Sequence, residues 1–208
     1  MKRGSVALSL APGDARILRE YGLFAVGSGR TDAGLAAARR AVVLDPLGAR
    51  SHFTLGETLL LAHHYPESVT AFNEALAIEP DSGDAYGWRG LAYYALGDFD
   101  RARASCEGKS DAWEGLWCLA MVYDKLERHA DAEAALAKLS AAFPEPPAYQ
   151  DAEIYAQWGN RANALEWLEK ALQVHDPGLT ILRVDPFLDP LRKEPRFLAV
   201  MRELKFST

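Results

Sequence analysis

The stretch "AVVLDPLGA" at residues 41–49 decides the fold, because similar stretches occur as "ALSLAPGDA" at 7–15 and "ALAIEPDSG" at 75–83. Three kinds of residue recur every 34 positions. The first alanine of each stretch is Ala7, Ala41 or Ala75, and its proline is Pro12, Pro46 or Pro80. Glycines outside the stretches keep the same spacing at Gly22, Gly56 and Gly90. A fixed period of this length indicates a chain built from internal structural repeats.

Each period predicts two amphipathic helices. In the second period, residues 50–62 carry leucines at helical spacing, and a turn is predicted at 63–65. Pro66 suits the first turn of the next helix, which runs to Ile78 with Phe72, Ala75 and Leu76 facing inward. Strand signals are missing. Small residues recur where two antiparallel helices would cross, because only small side chains let the two backbones approach closely.

At these positions the sequence resembles the tetratricopeptide repeat family, whose 34-residue unit pairs a helix A with a helix B. The family has a small residue in helix A, which is matched here by Gly22, Gly56, Gly90, Ala120 and Ala152. It has another at the start of helix B, which is matched by Gly34, Ser68, Ala102, Ala132 and Ala164. The resemblance implies an all-α fold, a right-handed superhelical solenoid of antiparallel helix hairpins with about five repeats and a C-terminal capping helix. The tail also looks like the end of repeat arrays at the C-termini of bacterial multidomain regulators.

The predicted organisation has three parts. Residues 1–13 are predicted to be the remnant helix B of a preceding repeat. Either the chain was cut from a longer array, or residues 3–11 serve as a makeshift N-terminal cap. Residues 14–174 hold five repeats that start near positions 15, 49, 83, 113 and 145, with a fresh N-cap at Asp14. Residues 175–208 form a loop and a capping helix that begins at Pro195.

The third repeat is shortened. Between Pro80 and Pro144 lie 64 positions instead of 68, and the deficit falls where Gly108 and Ser110 are predicted to end a helix B about one turn early. Either this shortening changes the local curvature of the array, or it is a tolerated deletion without functional meaning.

Composition limits the partners and the location. The chain has 23 Lys and Arg against 29 Asp and Glu, a net charge of −6, so we predict neither a nucleic-acid-binding nor a membrane-binding surface. We interpret Cys106 and Cys118 as reduced, apolar residues of an intracellular protein, and we expect a cytoplasmic location. A signal peptide in "MKRGSVALSLA" is the less favoured alternative, because its apolar part is short and broken by Ser9.

The residues do not gather into a catalytic pattern. "HHYPE" at 63–67 lacks the paired histidines of a zinc protease, and "GSGR" at 27–30 lacks both the preceding strand and the lysine of a phosphate-binding loop. We therefore predict no enzymatic activity, no cofactor and no metal site.

Binding is the function that the resemblance implies, since stacked hairpins form a concave groove lined by the A helices. Arginines at one end suit an acidic group, and aromatic residues in the middle suit apolar side chains. Leu23 and Glu153 also fall on groove positions of the family. Alternatively, the aromatic residues pack between repeats. The predicted peptide-binding residues are Arg16, Arg19, Arg50, Phe53, Glu57, Trp88, Leu91, Tyr94, Trp117 and Met121.

The sequence thus predicts a non-catalytic protein-protein interaction module that binds a peptide or protein segment in a concave groove, as part of a larger regulatory protein. The alternative from another class is a structural scaffold that self-associates through exposed solenoid ends. Enzymatic activity is the least favoured hypothesis.

Overall fold

A computed structural model describes residues 13–143 and 147–206, and all regular structure in these ranges is helical. The remnant helix predicted for residues 1–13 lies outside the described residues except for Gly13, and Pro144 lies outside them as well. Five antiparallel hairpins follow one another, and each packs against the next: α1 (Ala15–Gly27) with α2 (Thr31–Leu44), α3 (Ala49–Leu61) with α4 (Tyr65–Ile78), α5 (Gly83–Ala95) with α6 (Phe99–Glu107), α7 (Trp113–Lys125) with α8 (His129–Ala141), and α9 (Ala148–Gln157) with α10 (Arg161–Val174).

Small residues at the helix crossings explain why the hairpins close tightly. A Cβ atom added to Gly34 would lie 2.6 Å from the carbonyl oxygen of Gly22, so larger residues there would push α1 and α2 apart. In the second hairpin the ring of Phe72 packs against Gly56, and the buried Ser68 hydroxyl donates a 2.8 Å hydrogen bond to the Gly56 carbonyl. The predicted role of the small-residue columns is confirmed at these crossings.

The predicted N-cap of the first repeat is also confirmed. The Asp14 carboxylate accepts hydrogen bonds from the backbone N–H groups of Arg16 and Ile17, at 2.8 and 3.1 Å. These donors have no partner inside the helix, so the cap fixes the point at which α1 begins.

Helix α6 has nine residues and ends at Glu107, followed by Gly108, which confirms the early end predicted for the third repeat. The A helices of the third and fourth repeats come into close contact beside it. A Cβ atom on Gly87 in α5 would lie 2.5 Å from the Cβ of Glu114 in α7. The curvature of the array at this point stays a prediction.

A disulfide joins Cys106, near the end of α6, to Cys118 in α7, with a Cα–Cα distance of 6.1 Å. Both residues are fully buried. The prediction that they are reduced apolar residues is therefore wrong. The short α6 hairpin brings the two thiols together beside Gly90, which provides the space for the sulfur atoms because it has no side chain.

The segment after α10 does more than cap the array. Two 3₁₀ turns, η1 (Pro177–Ile181) and η2 (Pro186–Leu191), begin at Asp-Pro dipeptides whose aspartates accept backbone hydrogen bonds from Gly178 and Phe187, each at 2.8 Å. Turn η1 contacts α1 and η2 packs on α9, so this segment crosses the array from the fifth repeat to the first. We call residues 177–191 the closing segment.

Helix α11 (Pro195–Glu203) follows the closing segment and packs on α10. Its buried residues are Phe197, Val200 and Met201. Arg196 donates two hydrogen bonds of 2.8 Å to the carboxylate of Glu169 in α10, a bidentate pair at the rim of the contact. Helix α11 therefore covers the end of the array, as the sequence predicts.

Candidate functional site

The A helices of all five repeats converge on one cavity of about 590 Å³. Each of these helices contributes at least one side chain to the wall, so the cavity lies on the face that the sequence predicts to be concave. The five wall residues that represent the five helices in order are Leu23, Glu57, Trp88, Trp117 and Glu153.

The chain's own C-terminal part forms the opposite wall of this cavity. Pro177, Gly178, Thr180 and Ile181 of the closing segment line it, as does Phe206 beyond α11. Because these residues cover the face that would otherwise be an open groove, the concave face is present as a partly enclosed pocket.

Close backbone contact holds η1 against the first repeat. A Cβ atom on Gly27 would lie 2.6 Å from the carbonyl oxygen of Thr180, so a larger residue at position 27 would keep the two apart. Ile181 packs against both main apolar clusters of the protein, one centred on the middle repeats and the other on the fifth repeat and the tail.

The second attachment of the closing segment is Phe187. Its ring packs against Tyr94 and Trp117, with centroid distances of 6.0 and 6.2 Å. Its backbone carbonyl accepts a 2.5 Å hydrogen bond from the side-chain amide of Gln157, whose oxygen accepts 2.8 Å from the Tyr94 hydroxyl. Aromatic packing and a chain of hydrogen bonds thus fix η2 on the third, fourth and fifth repeats.

Aromatic side chains form much of the pocket floor. Trp88 and Trp117 meet edge to face with their centroids 5.3 Å apart, and Trp113 stacks on Trp117 at 6.0 Å. Trp117 is only 2% exposed, and its indole Nε1 atom is buried without a hydrogen-bond partner in the part of the chain described.

Two glutamates face the same pocket. Glu57 is partly exposed as a residue, but its Oε2 atom is buried and has no partner among the described residues. Burial raises the pKa of Glu57 from 4.5 to about 8, against the opposing effect of Arg50, and Asp84 raises it further. Its carboxyl group is therefore mostly protonated at neutral pH.

The other glutamate, Glu153, is 1% exposed and also has a buried Oε2 atom without a partner in residues 13–143 and 147–206. Burial raises its pKa well above 4.5, and the neighbouring Asp185 carboxylate raises it further through charge and a hydrogen bond. Asp185 accepts hydrogen bonds from the Tyr149 hydroxyl and the Phe187 backbone. We assign the shared proton to Glu153, because Asp185 has the donors that stabilise an anion.

The predicted site residues divide into three groups. Glu57, Trp88 and Trp117 line the pocket. The predicted exposure in a groove is wrong for Leu91, Met121, Phe53 and Tyr94, which are at most 7% exposed because neighbouring repeats and the closing segment pack on them. For Phe53 and Tyr94, two of the four predicted aromatic residues, the alternative of packing between repeats therefore holds.

The three arginines already have acidic partners. Arg16 pairs with Glu20 on the same helix and is 68% exposed. Arg19 donates a hydrogen bond to Ser51 and lies 3.7 Å from Asp45. The third, Arg50, donates 3.1 Å to Asp84 and its guanidinium lies 4.4 Å from the centre of the Phe53 ring. None of the three lines the pocket.

The sequence did not reveal that the closing segment would form one wall of the site. A signal was available in "LTILRVDPFLDPL" at 179–191, which is rich in large apolar residues although its prolines break helical periodicity. Leu179, Leu182, Phe187, Leu188 and Leu191 are all buried. A solvated loop would not carry so many of them.

The residues that the structure describes also bear on metal binding and membrane insertion. They contain no group of three or more His, Cys, Asp or Glu side chains that could hold a metal ion. Across residues 13–143 and 147–206, every helix is too short or too polar to cross a membrane.

Comparison with known proteins identifies the repeat. Sequence models of the tetratricopeptide repeat match residues 22–77, 53–115 and 149–174, more than half of the chain in total. Among curated proteins, none matches the sequence.

Solved structures share the fold at low sequence identity. PilW, described as a widely conserved type IV pilus biogenesis factor, gives a TM-score of 0.58 at 16% identity over 92% of both chains. Pseudomonas aeruginosa PilF gives 0.56 at 14% identity over 84% of this chain and 82% of its own. YrrB, described as a tetratricopeptide repeat protein with an unusual peptide-binding site, gives 0.51 at 20% identity over 87% of this chain and 96% of its own.

Proposed function

We propose that this chain, which belongs to the tetratricopeptide repeat family, is a non-catalytic interaction module that binds a protein segment at the pocket on its concave face. The observation that carries the proposal is the convergence of all five A helices on one cavity. Arrays of this family generally act in protein-protein interaction, and the peptide-binding site described for YrrB shows such use in one protein of the same fold.

We infer a mode of binding that differs from the open groove that the sequence predicts. A partner reaches the floor residues Trp88 and Trp117 only through the mouth of the pocket, because the closing segment covers the rest of the face. Phe24 lies at that mouth and is 46% exposed. We infer that an apolar or aromatic side chain of the partner enters there and contacts Trp88, a residue type enriched at binding hot spots.

The regulatory context rests on the resemblance of the tail to repeat arrays of multidomain regulators. We infer that the chain is the docking arm of a larger regulatory protein. The alternative of a scaffold that self-associates through its ends is tested by sedimentation velocity over a hundredfold range of concentration. A constant monomer mass would contradict the scaffold.

The disulfide bears on the location. Cytosolic glutathione and thioredoxin keep thiols reduced, so a buried disulfide between Cys106 and Cys118 favours an oxidising compartment. We therefore replace the cytoplasmic location expected from the sequence by an oxidising one. Alkylation of thiols in intact cells, followed by mass spectrometry of the chain, tests this: cysteines found alkylated would support the cytoplasm.

Site-specific photo-crosslinking tests the binding proposal. A benzophenone amino acid replaces Phe24 at the mouth of the pocket, and in a matched control it replaces Leu47, which is 83% exposed and does not line the cavity. We expect a discrete cross-linked partner from position 24 but not from 47, and we expect Trp88→Ala to remove it while helicity is unchanged. Equal labelling from both positions, or labelling unaffected by Trp88→Ala, would contradict the proposal.

A further inference from the structure

The pocket combines apolar walls with buried polar atoms that have no partners. The Oε2 atoms of Glu57 and Glu153 and the Nε1 atom of Trp117 are all buried and unpaired within the part of the chain that the structure describes. Glu153 and Trp117 are each at least nine-tenths buried as whole residues. A buried carboxyl oxygen without a partner is unfavourable, so the two carboxyl groups mark positions where a ligand donor or a positive charge would be stabilised, whereas the Trp117 N–H needs an acceptor.

The signs of the charges around the pocket select the class of ligand. Two carboxyl groups face the cavity, whereas no lysine, arginine or histidine of the described chain lines it. A ligand anion would thus meet acidic groups and no counter-charge. A ligand cation would pair with the carboxylate of Glu57 and would also lie against the aromatic faces of the pocket, an arrangement that attracts ammonium groups.

The remaining lining suits an apolar stem. Leu23, Leu61 and Ile181 surround the tryptophans, and the volume of about 590 Å³ falls in the range of small-molecule sites, roughly 300–1,000 Å³. We propose that the pocket is a binding site for an organic cation, an ammonium group on an apolar stem, with Glu57 as its anionic partner once the cation has displaced the proton from that carboxyl group. This inference concerns the same pocket as the proposed function, and it is tested with small cations in the absence of a protein partner, whose side chain they would displace.

The protonation of Glu57 gives the site a pH dependence. Arg50 and Asp84 are the charged groups that influence Glu57, and burial holds its pKa at about 8. A bound cation favours the carboxylate, so binding displaces a proton from Glu57 wherever the free protein holds it protonated. The affinity for a cation of fixed charge must therefore rise as the pH increases from 6 to about 8, and it must level off above.

The experiment uses the full chain and benzyltrimethylammonium, whose charge does not change with pH. Its neutral control is 2-methyl-1-phenylpropan-2-ol, which has nearly the same shape. Tryptophan fluorescence and titration calorimetry at pH 8 measure both. We expect saturable binding of the ammonium and at least tenfold weaker binding of the alcohol. Equal affinities would overturn the proposal, as would the absence of binding by both compounds.

Variants assign the effect to the pocket. Glu57→Gln keeps the shape of the neutral side chain and is expected to weaken ammonium binding at least tenfold and to abolish its rise with pH. Glu114→Gln changes a half-buried glutamate that does not line the pocket, and it is expected to leave the affinity within twofold. Identical thermal unfolding of the variants at pH 5 shows that both are folded. An unchanged affinity in Glu57→Gln would overturn the assignment.

Two sources could supply such a group, a free amine or a basic side chain of a protein. The peptide-like probe Nα-acetyl-Nε-trimethyllysine amide distinguishes them. If it binds more tightly than benzyltrimethylammonium, the cation belongs to a protein segment, and the reverse order indicates a free amine. Both orders support a cation site, provided that Glu57→Gln weakens the tighter probe.

Discussion

The hydroxyl of Tyr149 in α9 donates a 2.7 Å hydrogen bond to the carboxylate of Asp185 at the start of η2, and both residues are fully buried. This bond joins the fifth repeat to the segment that covers the concave face. Arg192 braces the closing segment internally by donating hydrogen bonds of 2.9 Å to the backbone carbonyls of Arg183 and Asp185. The closing segment is therefore attached through buried, charge-assisted bonds as well as through apolar contacts.

Removing the Tyr149 hydroxyl should loosen this joint. In Tyr149→Phe the buried Asp185 carboxylate loses one of its donors, and we expect the free energy of unfolding to fall by about 1–3 kcal/mol. Urea unfolding followed by circular dichroism measures the change. Tyr155→Phe, in the same helix but partly exposed and away from the pocket wall, serves as the control and should change stability by less than about 0.5 kcal/mol. Equal losses in the two variants would show that the bond to Asp185 has no special role.

Glu57 should make the protein less stable as the pH rises. Its pKa is 4.5 for the ordinary side chain and about 8 in the folded protein, so the folded state binds the extra proton between these values. Stability from this proton is fully present below pH 4.5 and is lost as the pH rises through 8. Relative to the wild type, Glu57→Gln should gain stability from pH 5 to pH 8, by about 1.4 kcal/mol for each pKa unit at most.

Denaturant unfolding of both proteins at several pH values measures this difference. A difference that stays constant from pH 5 to pH 8 would contradict a raised pKa of Glu57.

Gly90 should tolerate no side chain. A Cβ atom there would lie 1.9 Å from the Cys106 sulfur and 2.7 Å from the Cys118 sulfur, and the disulfide prevents either from moving away. Overpacking of this kind costs about 1–3 kcal/mol, so Gly90→Ala should lower the melting temperature by several degrees. In Gly13→Ala a Cβ atom meets nothing within 4 Å, and we expect no measurable shift. Similar melting of Gly90→Ala and the wild type would show that the site has room.

The disulfide should contribute measurably to stability. It links residues 12 positions apart, and closing a loop of about 15 residues stabilises a protein by about 3 kcal/mol in the chain-entropy model. We expect the double variant Cys106→Ala and Cys118→Ala to lose about this amount in urea unfolding. Denatured, unreduced wild-type protein should give no alkylated cysteine by mass spectrometry. Two alkylated cysteines without reductant would contradict the bond.

The hairpins could be predicted because the sequence features that produce them lie within each hairpin and recur in every repeat. The A helices were expected near residues 15, 49, 83, 113 and 145, and they begin at Ala15, Ala49, Gly83, Trp113 and Ala148. Helical spacing of apolar residues, small residues at crossings and the Asp14 cap act within one hairpin, so each leaves its mark in a short stretch of sequence.

The site could be predicted only in part, because its far wall comes from distant residues. Glu57, Trp88 and Trp117 follow from their places in the repeat, whereas Thr180 and Ile181 reach the first repeat through 3₁₀ turns that have no periodic pattern. Phe53 and Tyr94 fall on groove positions of the repeat, as Trp88 does, but neighbouring elements bury their side chains. The Cys106–Cys118 bond likewise depends on the geometry of a shortened hairpin.

Closure of the concave face by residues 177–191 is tested most directly by hydrogen exchange with mass spectrometry on the native chain. The Phe187 amide donates to Asp185 and the Val184 amide to Ile181, within a segment that packs on α1 and α9. Peptides covering 177–191 should therefore exchange slowly, with protection close to that of α9, and Tyr149→Phe should speed their exchange. Exchange of these peptides at the rate of an unstructured chain, while α9 stays protected, would contradict a closed pocket and would indicate an open groove.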